Sequence, residues 1–404
     1  MKMISTINRH FSLYDLIFAL MIFLSYGFKN YRFLLYMYEI LFIVASLKFF
    51  YKKEIKRNGF VAWMVCFFLI SVISIFYATN AEIAAKQAIN ILKGLMIAFF
   101  ISQVVIVDRA KYFEIVMWTL LVSGVFIVVY IILVTPIKYL GQHRIGDEVN
   151  LNSNDLAMKL AFSCLACYYF FMKNKNRSIN ICLFFIFLVT MILTGSRKSV
   201  IFIGFCILLI NFLYIKSNDI IKSVFKFLGL SFIVYLLYRA IFFFPILNNL
   251  LGTRLTNLIA IFKNPTYADN STITRFFMIE KGFELFRIKP ITGYGIANYG
   301  IIVNTSYSHN NYIELLVGVG IIGFLIYYSI YIVIIVSLFK KILSCKRIEF
   351  VFCFALIVGI LIIEIGQVTY YTEIFLILLG TIYSISSSPG VVQSVVQETP
   401  SKLS

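Results

Sequence analysis

The sequence predicts an all-α, polytopic membrane protein, and three observations support this class. The chain of 404 residues is 61% hydrophobic and only 13% charged, about half the charged fraction of a typical soluble domain. Its mean hydropathy is +0.92. The apolar residues form continuous runs of about 20 residues, the length at which a helix spans a bilayer, without the alternation of a transmembrane barrel. Because helices satisfy their own backbone hydrogen bonds in lipid, we expect a helical bundle.

We predict about twelve transmembrane helices from these runs. The predicted spans are residues 13–28, 32–50, 60–78, 88–107, 114–136, 155–172, 178–194, 198–215, 223–244, 312–339, 349–366 and 370–387. The net charge of +18 lies largely in alternate connections, such as Lys52–Arg57 and Lys340–Arg347. Such a bias predicts that both termini are cytoplasmic. It also explains the positive charge without nucleic acid as a partner.

The spans divide the chain into groups of helices separated by two long outer segments. These parts are N-terminal helices (1–136), a first outer loop (137–154), middle helices (155–244), a large outer loop (245–311), C-terminal helices (312–387) and a tail predicted to be disordered (388–404). Within the large loop, Ser271–Ile288 is predicted to form a short amphipathic helix that ends before Pro290. The apolar residues at helical spacing are Phe276, Ile279, Phe283 and Phe286. Such a helix could lie on the membrane surface with its apolar face toward lipid.

The large outer loop is basic, although the orientation rule disfavours positive charge outside. Its basic residues include Arg254, Lys263, Arg275, Lys281, Arg287 and Lys289. A substrate that carries pyrophosphate would explain this charge. The alternative is that long loops cross the membrane whatever their charge.

Three motifs near the outer face could carry chemistry. Arg197 lies in the short turn Thr194–Ser199, where its guanidinium could bind phosphate oxygens bidentately or extend to the membrane interface. Arg275 precedes the stretch Lys289–Gly295, whose Gly-Tyr-Gly predicts a turn in which the backbone closely approaches another group. His309 opens the tenth span, where a helix N-terminus favours the neutral imidazole. A neutral imidazole suits a general base, although a lone histidine at a membrane rim is often structural.

Several other polar residues are candidates for binding substrate. Asn152 and Asn154 precede the sixth span and could either cap that helix or hydrogen-bond sugar hydroxyls. The further substrate-binding candidates are Arg144, Arg254, Lys289 and Asn310.

Taken together, these motifs resemble the O-antigen ligase/polymerase superfamily of membrane glycosyltransferases over roughly residues 140–340. The resemblance implies an enzyme at the outer face of the bacterial inner membrane that uses glycans linked to undecaprenyl pyrophosphate. It implies no cofactor and no metal. The two arginines and one histidine of the family match Arg197, Arg275 and His309.

Our hypothesis is a Wzy-type polymerase that joins repeat units of O-antigen or capsular polysaccharide with inversion at the anomeric carbon. Arg197 and Arg275 would hold the pyrophosphate, and His309 would activate the acceptor hydroxyl. A chain-length regulator is a candidate partner. A ligase that transfers the glycan to the lipid A core remains an alternative. A transporter or flippase is a further one. It predicts broken helices and paired intramembrane charges, for which Lys93, Lys159 and Glu364 are the only deep candidates.

Overall fold

The computed structural model describes residues 11–27, 32–51, 58–134, 145, 152–214, scattered positions between 228 and 256, and 270–388. All regular structure within these residues is helical, which confirms the predicted all-α class. Most of the predicted ninth span, most of the first outer loop and the tail beyond residue 388 lie outside them. His10, His143, Arg144 and Arg254 do so as well.

Most of the described helices follow the predicted spans within a few residues. The helices are α1 Leu13–Gly27, α2 Arg32–Phe50, α3 Gly59–Ile73 with a 3-10 turn at Ser74–Tyr77, α4 Ala81–Val107, α5 Arg109–Val134, α6 Ser153–Met172, α7 Arg177–Leu193, α8 Arg197–Tyr214, α9 Asn270–Ile288, α10 Tyr299–Val303, α11 Asn311–Ser344, α12 Ile348–Ile363 and α13 Glu373–Ser386. Helix α4 begins earlier than predicted because Asn80 caps it, accepting the Ile83 N–H at 3.1 Å.

The described helices make this a multi-pass membrane protein. Six of them are long and apolar enough to cross a bilayer, namely Gly59–Tyr77, Ala81–Val107, Arg109–Val134, Ser153–Met172, Arg197–Tyr214 and Asn311–Ser344. The shorter apolar helices are Leu13–Tyr26, Arg177–Leu193, Ile348–Ile363 and Glu373–Ser386. With 10–17 residues each they are shorter than the roughly 20 residues of a typical span.

Close helix packing holds the bundle together. Helix α4 packs along α13, α6 packs along α5 and α7, and α8 packs along α12. Where α4 meets α13, a Cβ on Gly380 would lie 2.8 Å from the Ala98 carbonyl oxygen, so a small residue permits the approach. Small residues at such contacts are expected where lipid replaces water, because packing rather than hydrophobic exclusion then drives helix association.

Helix α11 is broken at Gly320, and the loop at 289–298 fills the break. Gly320 has φ +64° and ψ −169°, and a Cβ there would lie 2.0 Å from the Ile291 carbonyl oxygen. The freed carbonyls of Val317 and Gly318 accept the N–H groups of Tyr294 and Gly295, each at 2.8 Å. The predicted close approach of this glycine-containing turn is therefore confirmed, and the group it approaches is the backbone of α11.

The predicted loop helix is present as α9, and of the predicted apolar residues Ile279 packs against the buried cluster, whereas Phe276 and Phe283 do not. Met278 is buried, and its carbonyl accepts the Tyr299 hydroxyl at 2.6 Å. A Cβ on Gly282 would lie 2.2 Å from a methyl carbon of Ile313 in α11. Phe276 and Phe283 are 55% and 47% exposed, so they face away from this contact. The small Gly282 decides which face packs, and this feature is not visible in hydropathy.

Candidate functional site

The predicted base, His309, lies in a tight turn immediately before α11. Its φ of +57° places it in the left-handed region, which residues other than glycine rarely adopt. The Ser308 hydroxyl donates to the Asn310 carbonyl at 2.7 Å and accepts the Asn310 N–H at 3.2 Å. Asn310 then caps α11 by accepting the Ile313 N–H at 3.1 Å. The turn therefore presents the imidazole at the mouth of the helix.

The buried carboxylate of Glu314 reaches back from the first turns of α11 to this segment. Its Oε2 accepts the Ser308 N–H at 2.9 Å. Glu314 is 3% exposed and Ser308 is 1% exposed. The carboxylate therefore satisfies a buried backbone donor next to His309.

His309 is half-buried and sits in an electropositive environment. Its ring contacts that of Tyr307, with centroids 4.0 Å apart and planes tilted by 45°. Burial first, and then the positive charges of Arg275 and Lys198, lower the pKa of His309 from 6.5 to about 4. The imidazole is therefore neutral at pH 7, so its ring nitrogen is free to accept a hydrogen bond from a hydroxyl, although the low pKa makes it a weaker base than an ordinary histidine.

Lys198 is a site residue that the sequence analysis missed. It is the second residue of α8, and its Nζ donates to Gln367 Oε1 at 2.7 Å. Gln367 belongs to the connection between α12 and α13, so this bond joins two distant parts of the chain. Arg197, the residue predicted from the same motif, is half-buried at the first position of α8. The sequence alone does not show which of the adjacent cations Arg197 and Lys198 acts on the charge of His309.

The connection between α12 and α13 is held against α11 by a buried polar network. Glu364 is fully buried and accepts the hydroxyls of Tyr328 at 2.9 Å and Tyr331 at 3.0 Å. Asn311 donates its N–H to the Glu364 carbonyl at 2.8 Å and accepts the Thr369 N–H at 2.9 Å. These bonds fix the connection that carries Gln367.

Two other predicted binding residues have structural contacts. Asn152 caps α6 by accepting the N–H groups of Asn154 at 3.0 Å and Asp155 at 3.3 Å, so the capping alternative is confirmed. Lys289 is exposed and places its Nζ 4.6 Å from the centre of the Tyr294 ring. A role for these side chains in binding substrate stays a prediction.

Residues 182–328 match the family model Wzy_C, described as O-antigen ligase. The matched segment begins in α7, ends within α11, and contains Arg197, Lys198, Arg275 and His309. This match confirms the resemblance inferred from the motifs. No curated protein matches the chain.

Proposed function

We propose, from the match of residues 182–328 to the O-antigen ligase family model, that this chain is a membrane glycosyltransferase that polymerises oligosaccharide repeat units linked to undecaprenyl pyrophosphate. The observation that carries the proposal is the position of His309 in the fixed turn before α11, inside the segment that matches the family, where the charges of Arg275 and Lys198 act on its ring. A base beside two cations suits the transfer of a sugar from a phosphate leaving group.

The cations would bind the pyrophosphate of the donor. The guanidinium of Arg275 offers a planar fork that matches phosphate oxygens. Lys198 contributes a point charge, and the hydrogen bond to Gln367 orients its side chain. Arg197, at the first position of α8, is the further candidate. Positive charge fixed before the reaction stabilises the charge that develops on the leaving group, which is the role a metal ion serves in other glycosyltransferases.

His309 would take the proton of the acceptor hydroxyl as that oxygen attacks the anomeric carbon of the donor. A bond forms between the acceptor oxygen and the anomeric carbon, while the bond from that carbon to the pyrophosphate oxygen breaks. Undecaprenyl pyrophosphate leaves with the bonding electron pair, and the configuration at the anomeric carbon inverts. A positioned base of this kind contributes about 10²–10⁴-fold to the rate.

We place this reaction at the outer face of the bacterial inner membrane, with both termini in the cytoplasm. The alternation of basic connections supports the orientation. The test is the reaction of engineered cysteines in spheroplasts with an impermeant thiol reagent. Arg287→Cys on α9 should be labelled, whereas Lys346→Cys between α11 and α12 should be labelled only after membrane disruption. The reverse pattern would contradict the topology.

The ligase is the second candidate, because the match to the family model fits either reaction. A polymerase transfers the growing glycan to a second lipid-linked repeat unit, whereas a ligase transfers it to the lipid A core. Both reactions use the same donor pyrophosphate and the same base. The difference therefore lies in the acceptor, and a chain-length regulator would be a partner of the polymerase.

The transporter alternative predicts broken helices and paired intramembrane charges, and the described residues include both the break in α11 and an ion pair, although in each case other groups of the protein already occupy the site. Lys159 pairs with Asp155 at 3.0 Å, and Glu364 is occupied by hydroxyl donors. The break in α11 is occupied by the N–H groups of the 289–298 loop. Glu39 in α2 is a further buried acidic residue, which the hydropathy pattern did not single out.

Reconstitution separates the three functions. The purified protein in lipid nanodiscs is supplied with a synthetic repeat unit on undecaprenyl pyrophosphate, with and without lipid A core. A ladder of products from the repeat unit alone indicates a polymerase. One transfer that requires lipid A core indicates a ligase. The absence of any covalent product, with His309→Ala behaving like the wild type, would contradict a glycosyltransferase.

A further inference from the structure

We infer that Glu314 is a positioning residue that sets the direction of the His309 imidazole through the backbone of Ser308. This inference rests on the proposed function, in which His309 is the base. It assigns a role in the reaction to a buried carboxylate that need not touch the substrate.

The backbone at His309 requires support from its neighbours. A left-handed φ at a residue with a large side chain persists only where the surrounding contacts over-determine it. Ser308 and Asn310 bond to each other across the histidine, and Asn310 is also held by the helix it caps. Ser308 needs an anchor outside the turn, and its N–H finds one at Glu314 Oε2, 2.9 Å away.

The reach of Glu314 differs from that of an ordinary helix cap. In a capping box, an acidic residue near the helix start accepts the N–H of the capping residue itself. Here the carboxylate passes the capping residue Asn310 and accepts the N–H of Ser308, the residue before the histidine. His309 is therefore bracketed by two fixed points, one at the cap and one at the carboxylate.

A carboxylate at this position is costly for the fold alone. Glu314 is 3% exposed, and its neighbours Ile313, Leu315 and Val317 on α11 are buried apolar residues. An apolar side chain would avoid the desolvation of a charged group. Burial, and then the charge of Glu314, raise the pKa of Tyr371 to about 12.

Two isolated changes separate the acceptor role of Glu314 from its charge. Glu314→Gln keeps the length and an acceptor oxygen but removes the charge. Glu314→Asp keeps the charge but shortens the side chain by one methylene and loses the reach to Ser308. If the carboxylate acts by positioning, Glu314→Gln should retain kcat within about tenfold, whereas Glu314→Asp should lose roughly 100-fold in kcat with the donor KM nearly unchanged.

The control is Glu349→Gln, which alters another buried glutamate at the start of α12 that pairs with Lys173 at 2.8 Å. Its kcat per folded protein should equal that of the wild type. A second measurement follows the rate at which diethyl pyrocarbonate modifies His309 in a background carrying His10→Asn and His143→Asn. Glu314→Asp should change this rate of modification, whereas Glu314→Gln should leave it near the rate of the unaltered Glu314.

Wild-type kcat in Glu314→Asp, or equal impairment of both variants, would overturn the positioning role. The outcome remains distinguishable from failure of the proposed function. If His309→Ala transfers glycan as well as the wild type, the base assignment itself fails. If His309→Ala is inactive while Glu314→Asp is fully active, only the inference about Glu314 fails.

Discussion

The two turns that lead into α8 and α11 each place a left-handed residue two positions before the helix, but the residue differs. In each, a left-handed residue is followed by one residue and then by the first residue of the helix. Gly195 has φ +66° before α8, and His309 has φ +57° before α11. Both helix starts bring a candidate functional side chain to the site, Lys198 in the first case and His309 in the second.

The difference shows whether each turn requires a backbone conformation or a particular side chain. At Gly195 the backbone conformation is the requirement, because the Gly195 N–H ends α7 by donating to the Ile192 carbonyl at 2.9 Å. Glycine adopts this left-handed conformation without steric cost. A histidine in that region costs about 1–3 kcal/mol. At position 309 this cost is offset by the bonds of Ser308, Asn310 and Glu314. We infer that the imidazole itself is the requirement there.

The strongest test of this contrast replaces His309 by alanine and, separately, by glycine. Both variants should lose about 10²–10⁴-fold in glycan transfer, because neither can accept the proton. Glycine should also relieve the backbone, so His309→Gly should be more stable than His309→Ala by about 1 kcal/mol. The measurements are the polysaccharide ladder on a gel at matched expression and thermal unfolding in detergent. His10→Ala serves as the control, and a normal ladder from His309→Ala would make the histidine structural.

The next largest effect concerns the guanidinium of Arg275, which would bind the pyrophosphate of the donor. Arg275→Lys keeps a positive charge but cannot bind two phosphate oxygens in one plane, so transfer should fall by roughly tenfold or more. The matched control is Arg287→Lys at the exposed C-terminal end of α9, where no loss is expected. Initial rates with the lipid-linked repeat unit provide the measurement. Equal activity of the two variants would remove the bidentate role.

A pH profile tests whether Lys198 acts on the base. Because burial and the charges of Arg275 and Lys198 lower the pKa of His309 to about 4, the imidazole stays neutral in the wild type until the pH falls through about 4. Lys198→Met removes one positive charge, so the pKa of His309 should rise toward its ordinary 6.5. The acid limb of the rate profile should therefore move to higher pH. An unchanged acid limb would show that Lys198 does not influence the base.

The smallest expected effect concerns the turn at Gly195. Gly195→Ala forces a side chain into the left-handed region and should lower the free energy of unfolding by about 1 kcal/mol. Gly204 in α8 is the matched control, since a Cβ there meets no atom within 4 Å. Gly204→Ala should be neutral or slightly stabilising because alanine favours helix. Thermal unfolding compares the two, and equal transitions would mean that the turn at Gly195 is not strained by a side chain.

Hydropathy predicted most of the fold because each span is a local property of about 20 residues. The helix at α9 and the start of α11 at the Ser-His-Asn motif were also predictable from local signals, namely the helical spacing of apolar residues before Pro290 and the start of an apolar span. The contacts around the site were not. Gln367 meets Lys198 only after α8 and α12 pack together, and the left-handed φ of His309 is supported by the bonds that Ser308 makes to Asn310 and Glu314. Sequence patterns carry no direct record of such pairings.

The role of an asparagine before a helix is a further feature that the sequence alone does not predict. An asparagine before a helix can bind its own backbone or a sugar, and the composition of the motif is identical in both cases. Asn152 and Asn310 each precede a helix, and both cap it in the structure. Only the position of Asn310 beside His309 distinguishes the two.

The break in α11 sets a boundary for building chimeric proteins. The 289–298 loop donates N–H groups to the carbonyls of Val317 and Gly318, and its Pro290 carbonyl accepts the Ile321 N–H at 2.8 Å. A graft that exchanges outer loops with a junction inside this segment would separate these partners and leave backbone groups unpaired, at about 1–3 kcal/mol each. A donor segment that ends at Ile288 keeps the loop and the helix as one inherited unit. A chimera with its junction at Ile288 should therefore fold more readily than one with its junction a few residues later.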